Sequence, residues 1–415
     1  MGARVCVLLV ALAGSVLSGD ARADEPCGPL KEYDAITAVV TERFYDRTFK
    51  GLDWPARVAS KRSEVTCNDH ANGVAAKVNR LLAELHASHT GLYTRDDPDY
   101  WALQSIFSRS VETFPVDFSG IWPERRNGKW YAKYVLPGSP AFEAGVMAGD
   151  ELISIDGRPF RPLGIGSASA AKLVLSQDGR RKRTVPLQAR SQGMQRFFLE
   201  ATRGSTRVVP IGSRTTGYFH LCAGTHELFL QTLNDALASF EEQKIDALIL
   251  DLRGGFGGAG LEYLAKLKAS EHLRDVPRYV LIDDGVRSGK EWVAGTVRVE
   301  KLGTLVGSTT AGMFLGGAPH RFFDGKYLLY LAEQTFTPPG IGEIEGIGVP
   351  PDVAVAPCRE YCAGADPQLD KAVELIRALP ANPDKDRGVA RASRNQKAPV
   401  AVIRKIDPRR LPLNG

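Results

Sequence analysis

The chain has 415 residues, 43% of them hydrophobic and 24% charged, with a formal net charge of +5, enough for two or three domains with sizeable cores. Residues 384–415 carry nine Lys/Arg against three Asp, and the first 23 residues have one excess positive charge, so the body 24–383 stands at −2. That excludes a basic face for nucleic acid, and no apolar run approaches the roughly 18 residues of a membrane span.

At the start, Arg4 precedes an apolar run from Val5 to Leu17 and the small-residue ending Ala21-Arg22-Ala23. This predicts a cleavable signal peptide at 1–23, a mature chain from near Asp24, and a secreted or periplasmic protein. Cys27, Cys67, Cys222, Cys358 and Cys362 remain after cleavage. Pairs Cys27–Cys67 and Cys358–Cys362 with Cys222 left over fit an oxidising compartment, and five buried free thiols fit equally well.

Residues 24–110 read as helical. Ile36, Val39, Val40 and Phe44, and then Val74, Val78, Leu81, Leu82 and Leu85, recur at helical spacing. The second of these helices is expected to run to His86-Ala87-Ser88-His89. Residues 115–192 form a β-rich module. Ser139-Pro140 opens a short helix, Gly145 and Gly149 close it, and Asp156-Gly157 marks a hairpin. Its run Gly138-Ser139-Pro140-Ala141…Ala144-Gly145…Gly149-Asp150…Ile153…Ile155…Gly157 resembles the PDZ pattern. That resemblance implies binding of extended or C-terminal peptide segments by strand addition, with Gly120 and Ile121 near the carboxylate-binding loop.

Residues 205–380 alternate strands and helices. Ala247–Leu250 and Tyr279–Ile282 are continuous apolar runs, as in strands buried on both faces. A helix is predicted over Glu227–Phe240 and another over Asp366–Leu379, and Asp324-Gly325 turns between two strands. The pattern is that of an α/β domain. Residues 381–415 read as a basic, disordered tail that could touch anionic lipid or cell wall.

Three segments of the α/β domain can carry chemistry. Asp251-Leu252-Arg253-Gly254-Gly255-Phe256-Gly257-Gly258 follows a buried strand, and such a turn exposes N–H groups to an oxyanion. It lacks the Lys and Ser/Thr of a phosphate loop. Asp283–Glu291 places Ser288 at a helix start, as an N-cap or as a nucleophile aided by the helix dipole. Thr337-Pro338-Pro339-Gly340 leads to Glu345-Gly346-Ile347-Gly348-Val349-Pro350-Pro351-Asp352.

Together with Val306–Gly312, these segments resemble, in the same order, the motifs of the C-terminal processing (tail-specific) peptidase family, whose members also carry a preceding PDZ domain. The resemblance covers roughly Tyr33 to Leu379 and implies a crotonase-like (ClpP/crotonase-type) spiral for the catalytic α/β domain. It makes Ser288 the nucleophile. The lysine of the tail-specific branch falls on Met313, which cannot accept a proton. The branch resembling tricorn core peptidases uses Ser with His, a second Ser and Glu, and Leu85-His86-Ala87-Ser88-His89 and Glu345-Gly346 match those segments. The resemblance thus implies His89 as base, oriented by Glu345 through Ser88. Gly289 with Gly257 or Gly258 would supply the oxyanion hole.

An imidazole with an ordinary pKa of about 6.5 suits a base at neutral pH. Lys290 lies two residues from Ser288, and helix positions i and i+2 face apart. His86 and His89 are spaced for one helix face but lack a third ligand, so no metal is expected, and no other cofactor. The expected partner is a protein or peptide substrate. Arg287 and Lys290 in place of small residues, and Gly255 in place of Asn, motivate an alternative: a peptidase-like scaffold without catalysis. An acyl-CoA enzyme would share the implied fold but leave the β-rich module unexplained.

Overall fold

The computed structural model describes residues 26–380. The expected leader 1–23 and the basic tail 381–415 lie outside the described residues.

The first helices, Gly28–Arg43, Trp54–Arg62 and Ala71–Ala83, bury Tyr33, Ile36, Val40, Val74, Val78 and Leu81. A disulfide between Cys27 and Cys67 fastens their ends. Their apolar face packs both on the next strand and on strands far along the chain. It covers an antiparallel sheet in which Gly91–Thr94 pairs with Tyr327–Gln334, and Tyr327–Gln334 with Gly316–Phe322. The early helices are thus joined to the far end of the chain, and Glu32 seals that joint by accepting the Tyr327 hydroxyl at 2.6 Å.

The central sheet runs in the order Arg207–Ile211, Arg214–His220, Ala247–Asp251, Arg278–Ile282, Thr304–Gly307, Val353–Ala354. Its first pair is antiparallel and the rest parallel. Side chains alternate between two cores, as strand geometry requires. Leu248, Leu250, Val280 and Ile282 face helices Met194–Ser205, Glu227–Glu242 and Gly289–Val299. Ile249, Tyr279 and Leu281 face the helix Pro367–Arg377. Loops at the carboxyl ends of parallel strands gather at one edge, the usual place for a site in an open α/β sheet.

Between these parts lies an antiparallel sheet of strands Ile121–Arg126, Lys129–Val135, Glu151–Ile155, Ala171–Ser176 and Lys182–Leu187. Its hairpin at Asp156-Gly157 has φ of 49° and 79°, both left-handed as a tight two-residue turn demands. Where the chain enters and leaves, Pro115–Phe118 pairs antiparallel with Arg190–Gly193. The loop closed by Cys358–Cys362 grips the sheet: Tyr361 donates its N–H to Gly149 O at 2.7 Å and its hydroxyl to Glu151 at 2.6 Å. Cys222 is a buried free thiol. No described helix is long and apolar enough to cross a membrane.

The early helix differs from expectation at its end. It stops at Ala83, and His86 and His89 take φ of 45° and 52°. They stand on an irregular turn, so the i, i+3 geometry that would aim both imidazoles at one metal does not exist.

Candidate active site

A cleft of about 680 Å³ opens between the early turn, the Gly-rich turn and the start of the helix Gly289–Val299. Ser88, His89, Gly257, Gly258, Ser288, Gly289 and Met313 all line it, with an apolar remainder that includes Leu103, Phe107, Trp292 and Phe336.

Ser288 is the residue before the helix, with φ 55° and ψ −132°. An N-cap ordinarily has extended backbone; this left-handed conformation is costly for a residue with a β-carbon and turns the strand sharply into the helix. Two acceptors hold it: the Ser288 N–H meets Met313 O at 2.9 Å and Glu291 Oε2 at 3.1 Å. Glu291 is wholly buried and also accepts from Thr310 Oγ1 at 2.6 Å and from the amides of Gly312 and Met313 at 2.7 and 2.8 Å. One carboxylate therefore folds the 310–313 loop around the serine. Sequence reading left this role unassigned, although Ser288-x-x-Glu291 has the spacing of a capping box.

Glycine is required on both sides. A β-carbon on Gly257 would lie 2.5 Å from Ser288 Cβ, and one on Gly289 would lie 2.0 Å from Ala259 O. Among the described residues, the amides of Gly257, Gly258 and Gly289 donate to no protein acceptor. At Gly255, where φ is 65°, a β-carbon would fall 1.8 Å from Cys222 O, so the Asn usual in the resembling family does not fit this turn.

The opposite wall carries a relay. Glu345 Oε1 accepts the Ser88 N–H at 2.9 Å, and Oε2 accepts the Ser88 hydroxyl at 2.7 Å and the Phe314 N–H at 2.7 Å. Ser88 Oγ lies 2.9 Å from His89 Nδ1. Because Ser88 gives its proton to Glu345, its oxygen accepts from Nδ1–H, which leaves Nε2 unprotonated. The edge of Tyr330 packs on the imidazole at 5.2 Å between centroids. His89 is 6% exposed. Burial lowers its pKa to about 4, helped by the Arg287 charge and opposed by Glu345. No direct hydrogen bond joins His89 to Ser288 among the described residues.

Lys290 turns away from the cleft. It is fully buried, donates to Leu221 O at 3.3 Å and to the Gly254 carbonyl, and burial lowers its pKa to about 8. It anchors the Gly-rich turn from behind. Met313 lines the cleft and contributes its carbonyl to Ser288. In the β-rich module, Gly120 has φ 93° and Ile121 begins an edge strand. The Ile121 side chain is buried against Phe160 and Ile165, and about 10 Å³ remains between them.

A left-handed serine facing uncommitted amides, across from an acid-supported imidazole, is an arrangement of the kind serine hydrolases use. Residues 260–355 match the sequence model of Peptidase family S41. The chain is 25% identical over 359 residues to carboxyl-terminal-processing peptidase 3, chloroplastic, of Arabidopsis thaliana, a match covering 76% of this chain and 66% of that protein. It is 28% identical over 280 residues to a carboxyl-terminal-processing protease of Synechocystis, covering 58% and 63% respectively. The chain thus spans slightly under two thirds of the length of these relatives. In fold it resembles the photosystem II D1 C-terminal processing protease, with a TM-score of 0.51 and 19% identity over 80% of this chain and 94% of that one. The chain is thus similar to the S41 peptidases over residues 260–355, and to C-terminal processing proteases over more than half its length.

Proposed function

We propose that this chain is an exported serine endopeptidase acting through an acyl-enzyme on Ser288. The observation that carries the reading is the Glu345–Ser88–His89 relay ending in the cleft that Ser288 lines. His89 Nε2 takes the Ser288 proton as Oγ attacks the peptide carbonyl. Gly289 with Gly257 or Gly258 receives the oxyanion; one such donor is worth about 2.7–4 kcal/mol. His89 then returns the proton to the leaving amine, and water completes the cycle by the reverse route. Hydrogen bonds between base and nucleophile are commonly long before substrate arrives.

The catalytic α/β part is read as a crotonase-like spiral, and residues 115–192 as an inserted PDZ domain. With the Ile121 pocket filled by the protein's own side chains, the backbone edge of Ile121–Arg126 is the route left for an extended substrate segment. Export rests on the leader pattern at 1–23. Ser288→Ala and His89→Ala should each abolish hydrolysis of an unfolded protein substrate with melting temperature near that of the parent. Activity retained in either variant refutes the assignment. The scaffold alternative predicts that a fluorophosphonate leaves Ser288 unlabelled.

A further inference from the structure

Arg287 occupies a position where the resembling family has a small residue, and its setting is not that of a surface arginine. It is half-buried in the cleft wall beside Ser288. Its guanidinium lies over the Phe256 ring, 4.0 Å from the centroid. Nε and Nη2 donate to the Gly255 carbonyl at 3.2 and 2.8 Å. These contacts fix the plane of the group while engaging two of its five N–H donors. Among the described residues Nη1 makes no hydrogen bond and no carboxylate lies within ion-pair distance.

The ionisable groups that feel the Arg287 charge are His89, Tyr93, Asp99, Lys290 and Tyr330. Asp99 is the one acid among them; burial pushes its carboxyl pKa up and the Arg287 charge opposes that, but it does not lie within ion-pair distance of Arg287. Glu333 also lines the cleft but is engaged by His320 at 2.7 Å. Both oxygens of Glu345 are occupied by Ser88 and Phe314. A cation held in an apolar cleft without a close carboxylate is unfavourable, and a rigid guanidinium edge receives a carboxylate in two-pronged fashion.

We propose that Arg287 is a carboxylate-recognition residue, selecting peptides with a carboxylate, from the C-terminus or from an Asp/Glu side chain, close to the bond held at Ser288. This rests on the reading of the cleft as a peptidase site. The pairing also acts on the base. Arg287 disfavours protonation of His89, so a bound carboxylate that offsets its charge eases proton transfer from Ser288 Oγ to Nε2.

The test uses the full chain with Ser288→Ala, so that binding is read without turnover. One apolar, N-terminally fluorescent hexapeptide is offered as the free acid, as the C-terminal amide, and as the amide with an internal Asp replacing Ala. At least one carboxylate form should bind about ten- to a hundredfold tighter than the neutral amide, as expected for a charge-assisted hydrogen bond. Arg287→Gln in the same background should erase that ratio, and Arg287→Lys should retain part of it. Whichever charged form gains identifies the source of the carboxylate. Equal binding of all three forms, no binding of any, or a loss with Arg287→Gln shared by all three overturns the proposal. Fluorophosphonate labelling of the unsubstituted chain is a separate readout: no label on Ser288 refutes the peptidase reading, while the binding ratio still decides the role of Arg287.

Discussion

Burial governs the proton affinity of His89 more than its neighbours do, and the sign of each contribution can be worked out. On the proposed mechanism His89 must be neutral to act, so kcat/KM falls as pH drops through the free-enzyme pKa. With that pKa lowered to about 4, the acid limb of the profile should lie about two units below that of an ordinary imidazole. Arg287→Gln removes a charge that opposes protonation and should move the limb upward; Glu345→Gln removes one that favours it and should move the limb downward. Glu345→Gln should also lower kcat by roughly two to four orders of magnitude, since the relay loses its acid. An acid limb near pH 6.5 in the parent chain would contradict this account. At this scale the gathering of Ser88, His89, Ser288 and Glu345 at one cleft was legible because short motifs surround each of them. The stacking of Arg287 on Phe256 was not, because the two residues belong to different loops that meet only in the fold. The lowered pKa was equally hidden, since it depends on what covers the ring.

The elements around Ser288 are built to leave amides open at a crowded point. Gly257→Ala would drive a methyl group into Ser288 Cβ and Arg287 O. The expected outcome is a loss of at least about a hundredfold in kcat, with far-ultraviolet circular dichroism unchanged. Glu291→Ala would free four donors that now converge on one carboxylate, three of them backbone amides. It should lower stability by about 3–5 kcal/mol, the usual cost of breaking a buried charged network, measured by urea unfolding. The buried strands Ala247–Asp251 and Arg278–Ile282 were readable from unbroken apolar runs, and the helix Glu227–Glu242 from its period. The helix end before His89 was not. Leu85 continues the apolar period, and no Gly or Pro occurs before Gly91, so nothing local signals the two left-handed histidines that carry the chain out of the helix.

At the scale of the molecule, the β-rich module is tied to the body beyond its paired entry and exit strands. The Cys358–Cys362 loop clasps its sheet through Tyr361, and Tyr134 reaches from the module to donate to Asp283 Oδ2 at 3.2 Å, in the loop that leads to Ser288. Replacing both Cys358 and Cys362 by Ser should raise amide hydrogen exchange in strands Lys129–Val135 and Glu151–Ile155 while the central sheet stays protected. Unchanged exchange there would show that the loop holds nothing. The pairing of these cysteines was open in the sequence, because four-residue spacing permits a bridge without requiring one. The covering of the early helices by strands Gly316–Phe322 and Tyr327–Gln334 left no local trace either, since amphipathic periodicity reveals that a face is buried and not what buries it.

Ser88 and Glu345 stand 257 residues apart in the chain yet share two hydrogen bonds. A ribosome must therefore release at least the 257 residues that follow Ser88 before the imidazole gains its support. Until then the imidazole, made well before the serine hydroxyl, stands without the carboxylate that orients it.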